Sequence, residues 1–457
     1  MISNAIAPST KTGLPVANAT RPFWRSELHE LDTFRSSEVL PSECDIVVIG
    51  AGYAGVSTLY HLLDSKDAPE PSKIVMLEAR EACSGASGRN GGHIKPDVYY
   101  NILKYSKKYG ALNAAAFARF EAENVLAVKE LVERESIDCD FILTRALDVY
   151  LDEAHAKSTY AAYQELRRIG AADLGDVHYV EGPDAEAISG VKGAKCCFSF
   201  TAAQLWPYKL VMSLLSKIVA KGINLQTRTP VTSVSPETDS AGRWTVTTPR
   251  GSILTKKILF ATNGYTAAIA PQFEDKIVPV RGVCSHIVPT TPEKTSRLAH
   301  TYSLRYGPAL YDYMIPRLDN SIIIGGAKQP FWHDKSHWYG ETDDSKLVEP
   351  ATGYFDGLMQ RHFSGWEDSG AYTDSVWTGI MGWTSDFMPY IGEVPGKTGQ
   401  YIAAGFSGHG MPLIHLASKS LAEIIRGEKK FEETEMPAVF KPTTERLRSS
   451  KNEILGT

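Results

Sequence analysis

The amino-acid sequence predicts an α/β protein, α+β overall, in which a parallel-sheet ligand-binding domain alternates along the chain with a second domain built on antiparallel sheet. Three features point to it. From Cys44 to Leu63, "CDIVVIGAGYAGVSTLYHLL" passes from an uninterrupted β-branched run through three glycines into apolar residues at helical spacing. Near the C-terminus, "YIAAGFSGHGMPLIHLASKSLAEIIRGE" repeats the passage from strand through glycine turn to helix. Residues 277–371 differ, being strand-like, rich in aromatics and poor in helical periodicity.

Ile46 to Ile49 read as a strand buried on both faces. Val56, Leu59, Leu62 and Leu63 then fall at helical spacing, so the period changes from 2 to 3.6 across the glycines. Gly50, Gly52 and Gly55 fit G-x-G-x-x-G: the first permits a tight turn, the second lets a pyrophosphate approach the backbone, and the third lets helix pack on strand. The free N–H groups and positive end of the helix suit a diphosphate. A second strand, Lys73 to Leu77, ends in Glu78, where a carboxylate accepts hydrogen bonds from an adenosine ribose. Strand, turn, helix and strand-end acid together make a Rossmann-like dinucleotide-binding unit. Glu78 is followed by "AREACSGASGRNGGHIKP", with Gly85, Gly88, Gly91 and Gly92 among the small residues Ser84, Ala86 and Ser87. Such a loop either admits a flat, bulky ligand or is a mobile surface loop.

Residues 1–43 read as a tethered extension docked by Phe23 and Trp24. Ala114 to Arg134 reads as an amphipathic helix, and the following stretch mixes a strand, "ALDVYL", with a helix, "STYAAYQELRRIG". A further helix starts at Trp206, with Pro207 in its first turn and Gly222 at its end. A hairpin, "RWTVTTPRGSI", feeds the strand "TKKILFATNG", which sets Ala261 to Gly264 at a carboxyl end, where open sheets bind ligands. Strands follow at "KIVPVRGVCSHIVP" and "NSIIIGG"; the aromatics between 302 and 339 belong either to a core or to a substrate cavity. The expected partition gives 44–138, 201–276 and 372–440 to the dinucleotide-binding domain and 139–200 and 277–371 to the second domain, with an extension at 1–43 and a tail at 441–457.

At 457 residues and 43% hydrophobic, the chain can bury two or three domain cores. Its net charge of -5 and lack of long basic blocks argue against nucleic acid and anionic membrane as partners. The six cysteines form no C-x-x-C pair, which fits reduced thiols in the cytosol. No signal-peptide pattern and no apolar run of spanning length is seen, so a soluble, cytoplasmic protein is expected. His333 and His337 stand i, i+4 but lack the Glu of H-E-x-x-H, so no metal site is expected.

The order GAGYAG, Glu78, "SGASGRNGG", "ATNG", "PVRG" and "GFSGHG" resembles the FAD-dependent amine oxidoreductases of the glycine oxidase and D-amino-acid oxidase (DAO) type, most of all their gamma-glutamylputrescine oxidase-like branch. The resemblance runs from about Cys44 to Arg426. It implies that Gly50, Gly52 and Gly55, with Tyr53 and Ala54, cradle the FAD diphosphate, that Glu78 and Ala79 hold the ribose, and that Arg80 and Val231 lie near adenine. Ser84, Ser87, Gly88, Arg89, Asn90 and Gly91 would run along the diphosphate and flavin, with Gly92 and His93 at the isoalloxazine and Ala261, Thr262, Asn263 and Gly264 also at the cofactor. Gly408, His409, Gly410 and Met411 would set a helix N-terminus by the flavin pyrimidine, stabilising charge on the reduced ring. Arg281 would lie over the flavin or in an interdomain ion pair, and Tyr311 and Tyr313 would line the substrate pocket. Arg281, Arg305 and Arg317 are carboxylate binders or exposed side chains. FAD is expected to be noncovalent, since no cysteine precedes "IIIGG" more closely than Cys284 and the only histidine near Asn90 is the displaced His93.

The reaction so implied is oxidation of a C–N bond of a small amine or amino acid: hydride passes to flavin N5, the imine hydrolyses, and oxygen takes the electrons as hydrogen peroxide. A dehydrogenase with another acceptor or a tailoring oxidase of a specialised metabolite would share every motif. A redox-silent flavin-binding protein is the reading from another class.

Overall fold

The Glu43–Ile49 strand stands at the centre of the first of two sheets. It pairs in parallel with Ile74–Leu77 and with Gly251–Phe260. Asn224–Gln226 and Gln400–Ala404 extend the parallel order on the two sides, and Tyr390–Glu393 closes one edge antiparallel. The computed structural model describes residues 13–456; the first twelve residues of the expected extension and the last of the tail lie outside them. Alternation along the central strand divides the core. Ile46 and Val48 join the cluster of the Tyr53–Leu62, Pro207–Ala220 and Ile414–Arg426 helices, whereas Val47 and Ile49 join Trp244, Phe260, Phe273 and Tyr390 on the other face.

The strand-to-helix turn shows why it needs glycine. Gly50 has φ +110°, and a Cβ there would lie 2.5 Å from the Ala261 carbonyl oxygen. At Gly55 a Cβ would lie 2.1 Å from the Gly50 carbonyl oxygen, so only glycine lets the helix seat against the strand end.

The second sheet has nine strands, seven of them from two long stretches of chain, 142–204 and 277–326. Its order runs Tyr372–Thr384, Ile277–Val288, Ile322–Gly326, Tyr311–Pro316, Thr301–Arg305, Ile142–Tyr150, Cys196–Gln204, His93–Ile94, with His178–Glu181 also on Cys196–Gln204. One pair departs from the expected antiparallel order: Thr301–Arg305 runs parallel to Ile142–Tyr150. These strands come from separate visits of the chain, so no hairpin dictates their direction.

Several boundaries differ from the sequence expectation. Tyr372–Thr384 pairs along its length with Ile277–Val288 and so forms an edge of the second sheet. Residues 201–204 complete the Cys196–Gln204 strand of the second sheet, and His93–Ile94 forms its edge from within the stretch assigned to the first domain. The expected hairpin at 243–253 and strand at 255–264 are instead the strand Trp244–Thr248 paired antiparallel with one continuous strand, Gly251–Phe260. The helix read from "STYAAY" starts earlier, at Glu153, because Asp152 caps it by accepting from the His155 N–H at 2.7 Å. Likewise the long helix covers Ala111–Glu135.

The extension is fastened at Trp24, which is wholly buried. Its indole N–H donates to the Asn90 carbonyl at 2.5 Å, and its own carbonyl accepts from the Trp206 indole at 2.7 Å.

Candidate active site

A deep cavity of about 1540 Å³, counted to its open mouth, runs between the two sheets. One end is built by the glycine turn: Gly50, Gly52, Tyr53 and Ala54 line it, while Gly55 packs behind. No side chain caps the first helical turn at Gly52, but Ser87 Oγ accepts from the Tyr53 N–H at 2.9 Å. Beside this turn stands Glu78, whose carboxylate accepts from the Ala51 and Arg80 N–H groups at 2.9 and 3.0 Å. Burial raises its pKa, and the two N–H groups oppose the rise. Ala79, Arg80 and Val231 complete this end, together with Leu14 and Pro15 of the N-terminal arm.

The loop after Glu78 is an ordered wall. Ser87, Arg89 and Asn90 line the cavity, whereas Ser84 and Gly88 support it from behind. Asn90 ties the loop to itself, donating to the Ser87 carbonyl at 2.9 Å and accepting from the Gly92 N–H at 2.8 Å. The two arginines are held from the protein side: Arg80 forks onto Asp344 at 2.8 and 3.1 Å, and Arg89 donates to the Ser84 and Thr378 carbonyls at 2.7 Å each. Asp344 neutralises both. Gly91 packs on the Tyr313 ring and Gly92 on Trp24.

Ala261, Thr262 and Asn263 line the cavity at the carboxyl end of the Gly251–Phe260 strand, and Gly264 packs under the Met381 carbonyl. Asn263 Oδ1 accepts from the Gly405 N–H at 3.0 Å, which joins this turn to the one before the last helix. There Gly408, Gly410 and Met411 line the cavity. The helix itself begins only at Ile414, and its Leu416 N–H is already capped by Asn124 Oδ1 at 3.0 Å. One turn earlier on the same long helix, Glu121 Oε2 meets His409 Nε2 at 2.8 Å and accepts from the Asp97 N–H at 2.5 Å. Glu121 is fully buried, and its Oε1 has no partner among the described residues. Burial by itself would lower the His409 pKa, but the charge and hydrogen bond of Glu121, with Asp97, outweigh it and raise the value. The pair lies beside the cavity-lining Gly408 and Gly410.

The second sheet closes the other end. Gly282, Cys284, Tyr313, Gly379, Ile380 and Met381 face the cavity. Tyr313 lies tilted against His93 with ring centroids 5.1 Å apart, and its hydroxyl is 3.6 Å from Cys284 Sγ. Burial pulls His93 down to about 3, with Lys95 and His409 adding to it, and pushes the Cys284 thiol up to about 12. His93 is therefore neutral, its Nδ1 on Thr301 Oγ1 at 2.9 Å. Tyr311, the next side chain of that strand on the same face, contacts Lys328 and Arg305 instead of the cavity wall.

Three arginines point elsewhere. Arg281 donates to the carbonyls of His337 and Asp343 at 3.0 and 3.2 Å and is 3.8 Å from Glu341, so it braces the 337–343 segment while its neighbour Gly282 lines the cavity. Arg305 pairs with Asp148 at 3.0 Å and stacks 3.9 Å over Tyr100. Arg317 pairs with Asp140 at 3.0 Å and lies over Phe23 and Trp206. Arg305 and Arg317 are buried or nearly so, not exposed.

Sequence reasoning missed Glu121, although a signal was present. Along the long helix the buried positions are 114, 117, 118, 120, 121, 124, 125, 128, 131 and 132, so Glu121 and Asn124 interrupt an otherwise apolar stripe. It also missed Leu14 and Pro15, for which no motif exists, and the strand residues 282 and 379–381, which enter the wall through tertiary pairing.

These features fit a dinucleotide: an uncapped helix start at a glycine turn, a carboxylate at a strand end and an extended trough beyond. Comparison with known proteins agrees. The family model described as FAD dependent oxidoreductase (DAO) matches residues 45–424. The chain is 26% identical over 398 residues to gamma-glutamylputrescine oxidoreductase of Escherichia coli, covering 84% of each protein. It is 24% identical over 398 residues to glycine oxidase of Bacillus licheniformis, covering 84% of this chain and 93% of that one. In structure it is similar to glycine oxidase from Geobacillus kaustophilus, with a TM-score of 0.67 at 19% identity over 88% of this chain and 99% of the other.

Proposed function

Because the chain belongs to the DAO family of FAD-dependent oxidoreductases, we propose that it oxidises a C–N bond of a small amine or amino acid and delivers the electrons to oxygen. The observation that carries the reading is the cavity itself, with dinucleotide-binding features at one end and, beyond them, Tyr313, Gly408 and Gly410 in its wall, His93 lying beside Tyr313 and the Glu121–His409 pair beside the two glycines. The relatives named for amine and amino-acid substrates support the same class.

Bound FAD would supply the redox chemistry, namely acceptance of a hydride equivalent from the carbon beside an uncharged amine nitrogen, leaving an imine for water to hydrolyse, and transfer of the electron pair to oxygen to give hydrogen peroxide. Gly50, Gly52 and the N–H groups of the following turn would hold its diphosphate, and Glu78 its ribose. The remaining wall orients the substrate and excludes water. It offers no strong base: burial keeps His93 neutral and raises the pKa of both the Tyr313 hydroxyl and the Cys284 thiol. A substrate amine must therefore lose its proton before it reacts. A protonated His409 held by Glu121 places positive charge beside Gly408 and Gly410, where negative charge on a reduced ring would be stabilised. The neutral thiols of Cys83 and Cys284 in the wall favour noncovalent attachment.

The test is anaerobic mixing of the FAD-loaded protein with a panel of primary and secondary amines and amino acids. Bleaching by one class, followed on admission of air by recovery of colour and formation of peroxide, is expected. Bleaching without reoxidation by oxygen would make the protein a dehydrogenase, and no bleaching by any amine would overturn the reaction.

A further inference from the structure

We propose that the N-terminal arm is part of the cofactor site: residues 13–20 close the adenosine end of the cavity, and FAD enters or leaves only when they lift. The proposal rests on FAD binding and not on the amine reaction.

The arm lies ahead of residues 45–424, which the family model matches, so no motif of the family gives it a role. Yet two of its side chains stand in the wall. Leu14 and Pro15 line the cavity together with Glu78, Ala79, Arg80 and Val231. The next residue is tied to the same end, because Arg80 Nη1 donates to the Val16 carbonyl at 3.2 Å while the guanidinium forks onto Asp344. Leu14 is left 37% exposed by the protein's own residues. It therefore offers apolar surface that an adenosine held at Glu78 would take out of water.

The arm is gripped unevenly. Thr20 is a clasp between the two domains: its N–H and its hydroxyl donate to the Asp344 carbonyl at 2.8 and 3.0 Å, and Oγ1 accepts from the Thr378 N–H at 3.0 Å and from Arg89 at 3.1 Å. Four residues on, the buried Trp24 fixes the chain to the body. Ahead of the clasp the hold is slight. Residues 13–19 form no helix or strand, Ala17 and Asn18 are exposed, and among the described residues the Arg80–Val16 contact is the one hydrogen bond that ties this stretch down. A segment with so few buried contacts opens locally at low cost while the rest of the fold stays intact. Asn18, at φ +59°, supplies a bend between clasp and free end in a conformation that asparagine tolerates. The arm can thus leave the cavity without leaving the protein.

Gly13 offers a way to lock it. A Cβ there would stand 3.9 Å from the Thr342 Cβ, and the backbone at Gly13 lies outside the left-handed region, so a disulfide between these positions fits. The test uses the full chain loaded with FAD and follows exchange of the bound cofactor against excess radiolabelled FAD, which needs no turnover. In Gly13→Cys/Thr342→Cys, closing the disulfide should slow exchange at least about tenfold and slow uptake of FAD by the cofactor-stripped protein as well, and dithiothreitol should restore both rates. Wild type taken through the same oxidation is the control for the six native cysteines, five of which are buried. Thr20→Val keeps the shape of the side chain, removes the Oγ1 hydrogen bonds and should speed exchange at least about threefold. Equal exchange before and after reduction, slowed release with unchanged uptake, cysteines that do not pair, or a Thr20→Val protein exchanging at the wild-type rate would each overturn the proposal. A wild-type protein that takes up no FAD would overturn the cofactor assignment and this proposal with it, a failure seen before any variant is made.

Discussion

Two buried carboxylates show how environment, not residue type, sets chemistry. Glu121 Oε2 lies 2.8 Å from His409 Nε2, and its charge raises the imidazole pKa against the opposing effect of burial. Replacing Glu121 by Gln removes the charge that opposes burial, so the His409 pKa should drop from above to below the ordinary ~6.5. An NMR titration of the histidine ring carbons reads this directly, and a His409 signal that still titrates above that value in the variant would refute the coupling. Asp312 is the opposite case. Burial pushes its carboxyl up to about 6, against the Ala327 N–H, the two tyrosine hydroxyls and the Lys328 charge. Below about pH 4 folded and unfolded chains both hold this proton; between about 4 and 6 only the folded chain does, so stability falls as pH rises and is level above. The window corresponds to about 3 kcal/mol. Asp312→Asn should lack that fall, so the stability difference between wild type and variant in denaturant unfolding should shrink by about that amount from pH 4 to 7. An unchanged difference would show that Asp312 titrates normally.

At the scale of elements, the first sheet was readable because its signals are local. Ile46–Ile49 is continuous and β-branched, and the glycine turn follows from two backbone contacts, Gly50 on Ala261 and Gly55 on Gly50. Gly55→Ala puts a methyl group into a 2.1 Å gap and should cost about 1–3 kcal/mol while weakening FAD binding; Gly307→Ala, where a Cβ meets nothing within 4 Å, should do neither. Thermal unfolding with FAD fluorescence titration checks both, and a Gly55→Ala protein of normal stability and affinity would contradict the seating of helix on strand. The second sheet was harder to read. Thr301–Arg305 and Tyr311–Pro316 are short, and the buried Asp312 breaks the apolar alternation that would mark a strand. Tyr372–Thr384 joins the second sheet through a partner that lies nearly a hundred residues earlier, a pairing that no local pattern encodes.

Across the whole molecule, the cofactor end of the site lay in motifs and the substrate end in topology. Gly50, Glu78, Asn90 and Gly408 announce themselves in sequence because ligand backbone contacts demand particular residues at fixed spacing. Glu121 meets His409 only when the long helix and the glycine turn before the last helix converge beside the cavity, and Gly282 and Gly379 enter its wall only through strand pairing. The N-terminal arm belongs to this level too, since Leu14 and Pro15 reach the wall while Thr20 Oγ1 accepts from Arg89 at 3.1 Å and Trp24 anchors the segment behind them.

The central claim is that this cavity holds FAD, and the most direct measurement is titration of cofactor-stripped protein with FAD, read by the visible spectrum and followed by acid precipitation. The structure predicts about one FAD per chain, released into the supernatant by acid and bound much more weakly by Glu78→Ala. A protein that stays colourless at saturating FAD, or a stoichiometry and affinity unchanged by Glu78→Ala, would contradict it.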